Sequence, residues 1–252
     1  MITIIGMEWI YLSPHLDDVA LSCGGLVWEQ AQAGQRVCVL TICAGDPSPG
    51  EFSALAKSLH ARWNTGARAA TQRRQEDLAS CRLMGATARH LAIPDCIYRR
   101  GGEEDQPLYT AEESIFRRLH PAEGDLVREL VAILAASLPA EAQVVSPLAL
   151  GDHVDHQLTR QAAENLGRRL WYFADYPYVL KNARQLERLE REGWEWQRFP
   201  LLARSVGFWQ QAIAAHTSQI STFWSSLESM AADIRTYRQS EKGIRLWRSP
   251  AG

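Results

Sequence analysis

Between residues 13 and 18 the chain reads Ser13-Pro14-His15-Leu16-Asp17-Asp18, an imidazole and two carboxylates packed into a few positions. A second cluster, His153-Val154-Asp155-His156, offers the same chemistry far away in sequence. Neutral imidazole nitrogens and a carboxylate oxygen are the donors a catalytic zinc uses, with a fourth position left for water. Iron(II) also accepts two histidines and one carboxylate. Asp17 and Asp18 are adjacent, so their side chains diverge and cannot serve one ion equally. One is expected to bind metal while the other takes a proton from water. His153 and His156, three apart, share a face if a helix has begun there. One then ligates while the other, held by Asp155, supports an oxyanion. Each cluster alone reads equally well as a helix cap with a surface carboxylate, Asp155 being a fair cap for 156–169. Their joint placement favours the metal.

That placement follows from the elements around them. Apolar runs at 9–12, 37–42, 90–93, 143–146 and 170–173 read as strands, and 17–33, 66–85, 123–138 and 155–169 show helical spacing. Leu78, Cys81, Arg82 and Met84 run up to Gly85, a plausible C-cap. Strand and helix in alternation predict an α/β, Rossmann-like domain with a mostly parallel sheet flanked by helices. Such sheets bind ligands beyond the carboxyl ends of their strands. The first cluster follows the first strand and the second follows the fourth, so both face one crevice. Residues 44–65 and 94–122 read as long Gly/Pro/polar connections, of a length associated with function or mobility.

On the substrate side, Asp95 and Arg99 follow the third strand. Asp95 could accept hydrogen bonds from ligand hydroxyls and Arg99 could grip a phosphate or carboxylate; a loop salt bridge is the plain alternative. Residues 173–178, with Tyr176 and Tyr178, leave the fifth strand at the same edge, where an aromatic face suits a ring or apolar part of a ligand; core or interface packing is the plain alternative. Six of the nine tryptophans lie beyond residue 170, where 181–191 is charged and helical and 208–239 reads as one or two helices. This part is expected to form a C-terminal helical and aromatic layer on the same domain, with Trp209, Phe223, Trp224 and Trp247 as packing residues.

Composition narrows the function. With 252 residues, a net charge of −2 and no dense Lys/Arg block, its arginine pairs 73–74, 99–100 and 117–118 being scattered, the chain lacks the basic stripe of a nucleic-acid binder. No segment reaches the apolar length of a membrane span. The first residues lack a signal peptide's basic and apolar regions, and Met7 is an alternative start. The five cysteines are odd in number and none forms Cys-x-x-Cys, which points to a reducing cytoplasm. No Gly-x-Gly-x-x-Gly follows the first strand, which disfavours a dinucleotide enzyme. Gly24-Gly25 comes too late for that role and reads as a helix-packing pair.

Residues 13–18 resemble the Pro/Ala-His-Pro-Asp-Asp-Glu motif of the LmbE/PIG-L-type zinc-dependent N-acetylglucosaminyl deacetylases. Residues 153–156 match that family's His-x-Asp-His, and Arg73-Arg74-Gln75-Glu76, ending at Leu83-Met84-Gly85, resembles its Arg-x-x-Glu helix. The resemblance runs from about 9 to 180 and implies that 1–252 is one such domain, with 181–252 its extension. It implies His15, Asp18 and His156 as zinc ligands and Asp17 as general base. His153 would stabilise the oxyanion or protonate the leaving amine, with Asp155 orienting it. Arg73 would contact substrate; a surface charge paired with Asp77 is the alternative. The implied reaction removes acetyl from an N-acetylated amino-sugar conjugate. Hydrolysis of another amide or ester, or ligand binding without catalysis, are the rival readings, and homo-oligomerisation is left open. Leu16 replaces the motif's proline, Val19-Ala20 stands where it has glutamate, and no aromatic residue precedes His153 closely.

Overall fold

The computed structural model describes residues 8–47, 50–101 and 104–250. The N-terminal stretch with Met7 lies outside them. Nine strands are present among the described residues. Strands β1 (Glu8–Ser13), β2 (Arg36–Thr41), β3 (Thr87–His90), β6 (Gln143–Pro147) and β7 (Trp171–Phe173) pair in parallel in the order β3-β2-β1-β6-β7. β4 (Arg100–Gly101) and β5 (Gln106–Pro107) form a separate small hairpin. The chain thus builds outward from β1 in one direction and returns to extend from it in the other. The carboxyl ends of β1 and β6 form the switch point where open α/β sheets place their ligands.

The apolar runs at β1, β2 and β6 make strands because both sheet faces are covered: Ile10, Tyr11, Leu12, Val39, Leu40, Val144 and Val145 are each at most 2% exposed. Covering them are α1 (Asp18–Gln32), α3 (Ala69–Met84), α4 (Gly124–Ser137) and α5 (Val154–Glu164). Helix α3 ends at Gly85, whose φ of 72° is the left-handed C-cap that the sequence suggested.

Several boundaries differ from the sequence expectation. The third strand spans Thr87–His90, earlier than 90–93, because it starts immediately after the Gly85 cap and takes its register from Cys38–Thr41. Its apolar continuation makes only isolated bridges, Cys43 to Ala92 and Gly45 to Pro94. The stretch 44–65 is not wholly a connection: it holds α2 (Ala54–Trp63), capped by Ser53, whose side chain accepts from Ala56 N at 3.1 Å. Helix α5 stops at Glu164, short of 169.

The largest correction is C-terminal. Beyond α6 (Ala183–Arg191), strands β8 (Glu195–Phe199) and β9 (Ile244–Arg248) extend the same sheet, with β9 antiparallel to both β7 and β8. Helices α7 (Ala203–Ala214), α8 (Thr217–Phe223) and α9 (Leu227–Glu241) lie between them. Trp209 and Trp247 are fully buried. Gly24 and Gly25 exist to admit Trp209: a Cβ on Gly24 would stand 2.7 Å from its ring, which is pinned by donating to Ala20 O at 2.7 Å. No helix among the described residues is long and apolar enough to cross a membrane.

Candidate active site

The loop leaving β1 is wound tightly enough to present His15, Asp17 and Asp18 from one point. Ser13 Oγ donates to His15 O at 2.5 Å and accepts from Val19 N at 3.3 Å, tying the strand end to the first turn of α1. Asp18 opens α1, where a helix N-terminus favours a carboxylate. At β6 the chain turns through Ala149, Gly151 and Asp152, all at positive φ. A Cβ on Gly151 would lie 2.8 Å from the Tyr178 ring, so glycine is required there by space as well as by conformation. Helix α5 then begins at Val154. Its cap is His153, not Asp155: Nδ1 accepts from Asp155 N at 3.2 Å.

Asp18 Oδ2 lies 3.2 Å from His15 Nδ1 and 3.3 Å from His156 Nε2. That His156 nitrogen is buried and makes no hydrogen bond. His15, His153 and His156 each bring a ligand atom within 4.8 Å of one another. Behind His15 and His156 stand carboxylates: Asp155 Oδ2 is 2.8 Å from His15 Nε2, and Asp175 Oδ1 is 2.6 Å from His156 Nδ1. This carboxylate–imidazole arrangement is the one that orients metal-binding histidines. An unpartnered buried nitrogen beside an anionic oxygen is satisfied by a cation between them, so the donor set fits a divalent metal. Other groupings involve Cys96 or Asp95. Burial first, with Asp155 and Asp95 adding to it, pushes the Cys96 thiol well above its ordinary range, which weakens it as a ligand.

The two adjacent aspartates are driven apart in acidity. Burial opposes ionisation at Asp18, but His156 and His15 overrule it and hold that carboxyl well below its usual range. Burial pushes Asp17 upward, reinforced by Asp18 and resisted by Arg73, whose Nη2 is 3.3 Å away. One carboxylate is therefore kept as an anion and its neighbour is made more basic. At His15, burial is outweighed by Asp155 and Asp18, and the imidazole is held well above its ordinary value. At His156, burial is likewise overcome by Asp18 and Asp175, which raise it to about 9. His153 goes the other way: burial and the nearby His15 push it well below the ordinary value. It stays neutral, and because Nδ1 is an acceptor, the proton sits on Nε2.

A cavity in front of this cluster is lined by His15, Asp17, Asp18, His153, Arg73, Asp95 and Tyr178. Asp155 and His156 are buried directly behind it. Arg73 does not pair with Asp77. It bridges Asp17 and Asp95, with Nη1 3.3 Å from Asp95 Oδ2, while Asp77 pairs with His90. Two expectations change. Asp155 orients His15 rather than His153. Arg99 does not reach the cavity: it is 5% exposed, meets Asp155 Oδ1 at 2.5 Å, pairs with Glu123 and donates to Pro94 O at 3.2 Å. A buried guanidinium is held where carboxylates compensate it, and Arg99 is not among the residues that line the cavity. Tyr176 is in the core against Trp224 and Tyr237, whereas Tyr178 packs against His156 at 5.7 Å between rings.

The sequence reading missed Asp175, Trp63 and the α8 residues Gln219 and Thr222, and it took Phe223 for packing. The last four line the cavity. Asp175 was legible in principle, since it stands just past β7 at the same sheet edge.

Residues 10–166 match the family model described as PIG-L, GlcNAc-PI de-N-acetylase. A 2'-N-acetylparomamine deacetylase of Niallia circulans is 29% identical over 203 residues, covering 74% of this chain and 71% of its own length. Its counterpart from Streptomyces fradiae is 35% identical over 196 residues, covering 73% of this chain and 62% of its own. The structure of the zinc-inhibited form of teicoplanin deacetylase Orf2 superposes with a TM-score of 0.79 at 24% identity, over 98% of this chain and 100% of that one, a likeness of fold.

Proposed function

Because the chain belongs to the PIG-L (GlcNAc-PI de-N-acetylase) family, we propose that it hydrolyses the acetamide of an N-acetylated amino-sugar conjugate, releasing acetate and a free amine. The observation that carries this reading is the convergence of His15 Nδ1, Asp18 Oδ2 and His156 Nε2 beside a second, more basic carboxylate facing the cavity. His15, Asp18 and His156 would hold the metal, with zinc the ion best matched to this set. A divalent ion there supplies a Lewis acid that acidifies water and polarises a carbonyl oxygen. Asp17 takes the proton from the attacking water and returns it to the departing amine. His153, neutral and capped at Nδ1, points its Nε2–H at the oxygen that gains charge. Arg73 fixes Asp17 and Asp95 in place for substrate. Residues 1–252 act together as one unit. The five cysteines, all unpaired and buried, support a reducing compartment.

The two sequence relatives named above are 2'-N-acetylparomamine deacetylases, which supports an N-acetylated amino-sugar substrate. The test is metal content with acetate release from a panel of N-acetylglucosamine and N-acetylparomamine conjugates. Wild type should carry about one zinc and turn over, His156→Ala should lose the metal, and Asp17→Asn should keep it while losing about 10²–10⁴-fold in kcat. Metal without acetate from any conjugate would move the reading to another amide or ester. Protein that takes up no divalent ion would end it.

A further inference from the structure

Helix α8 lies outside the segment matched by the family model, yet it forms one wall of the cavity through Gln219, Thr222 and Phe223. What fixes it is Glu76, in the same α3 turn as Arg73. Glu76 Oε1 accepts from Thr217 Oγ1 at 2.7 Å, Ser218 N at 3.0 Å and Gln72 Nε2 at 3.1 Å, and Oε2 accepts from Ser218 Oγ at 2.6 Å. On the far side, Ser221 Oγ donates to Arg62 O at 3.3 Å, joining α8 to α2.

This network decides which way an amide faces. Ser218 has one hydroxyl proton, and it goes to Glu76. The hydroxyl oxygen can then only accept, so the Gln219 group 3.0 Å away must be its NH₂. The amide oxygen of Gln219, which takes part in no hydrogen bond among the described residues, is left as a fixed acceptor on a residue that lines the cavity.

Resting on the deacetylase reading above, we propose that Gln219 is a specificity-determining residue whose Oε1 accepts a hydrogen bond from a hydroxyl or ammonium of the saccharide, and that Glu76 is the positioning residue that holds this acceptor in place. One helix of α3 would then serve both sides of the cavity: Arg73 sets the carboxylates of the reacting end, and Glu76 sets the acceptor of the recognition end. A hydrogen-bonding group is a strong discriminator in such a site, because a ligand lacking the donor leaves the acceptor unpaired.

The test uses full-length, metal-loaded Gln219→Leu, Gln219→Glu and Glu76→Ala beside wild type, with kcat and KM for a neutral N-acetylglucosamine conjugate and a cationic N-acetylparomamine one. A second readout is the affinity of metal-free protein for the deacetylated amines. Gln219→Leu should raise KM and weaken amine binding about tenfold with kcat little changed. Gln219→Glu should favour the cationic ligand over the neutral one. Glu76→Ala should reproduce the KM effect with metal content intact and faster hydrogen exchange at 217–223. Unchanged KM and amine affinity in Gln219→Leu would overturn the inference while leaving the deacetylase reading standing. If wild type releases no acetate, that reading fails on its own, and the amine affinities still decide whether Gln219 is a ligand contact.

Discussion

The two walls of the cavity are built on different principles. The inner wall, at the carboxyl ends of β1 and β6, is made of ionisable groups, and apart from His153 they are fixed by a chain of charged partners: His15 by Asp155, His156 by Asp175, Asp155 in turn by Arg99, and Arg99 by Glu123. The outer wall, from α2 and α8, presents mostly neutral side chains to the cavity, held from behind by hydrogen bonds to the single carboxylate of Glu76 and to the Arg62 carbonyl, with an exposed ion pair at its rim. Burial makes the inner wall's charges expensive unless each is paired, so its geometry is over-determined. The outer wall carries less of this penalty: its one buried charge, Glu76, is met by four hydrogen bonds, and the side chains it presents to the cavity are mostly uncharged.

The comparison predicts that damage to the inner wall shows in chemistry and metal, and damage to the outer wall in KM. Beyond Asp17, the largest effect is expected at His153. Asparagine there can still cap α5 but cannot present the Nε2–H, so His153→Asn should lower kcat about 10²–10³-fold with metal content unchanged. A loss under fivefold would reduce His153 to a cap. Next is the second row. Asp175→Asn leaves the shape intact and removes the anion behind His156, and zinc affinity, read by competition with a chromophoric chelator, should fall about 10–100-fold. Equal affinity in mutant and wild type would mean that His156 is oriented by packing alone.

The inner wall was far more legible in the sequence than the outer one, for a physical reason. Its donors come from two short segments with fixed spacing, each following an apolar strand, and a metal site demands particular residue types. The sequence could place His15, Asp17, Asp18, His153 and His156 at one sheet edge because a parallel sheet puts strand ends together. It could not say what stood behind them. Asp155 was assigned to its neighbour His153, since sequence proximity hides a partner 140 residues away. Arg99 looked like a ligand contact because a loop arginine gives no hint of the two carboxylates that bury it. The C-terminal strands were missed for a related reason: β8 alternates poorly, reading Glu-Trp-Gln-Arg-Phe with mostly exposed side chains, as an edge strand can. Gln219 had no signal at all, because its role arises from a hydrogen-bond direction set by Glu76.

The smallest effect is expected at the outer rim, and it tests where that wall ends. Arg62 and Glu112 pair at 3.4 Å with side chains 38% and 55% exposed, a geometry worth about 0–1 kcal/mol at most. The contact joining α2 to α8 uses the carbonyl of Arg62 and not its side chain, so Arg62→Ala leaves the wall standing. Stability should change by less than about 1 kcal/mol and KM by less than about threefold, both well below the change expected at Gln219. A tenfold rise in KM for the conjugates, with melting temperature unmoved, would instead place the guanidinium against the substrate. The recognition wall would then extend outward past α8 to a charged group, and the contrast between a charged inner wall and a neutral outer one would break at that residue.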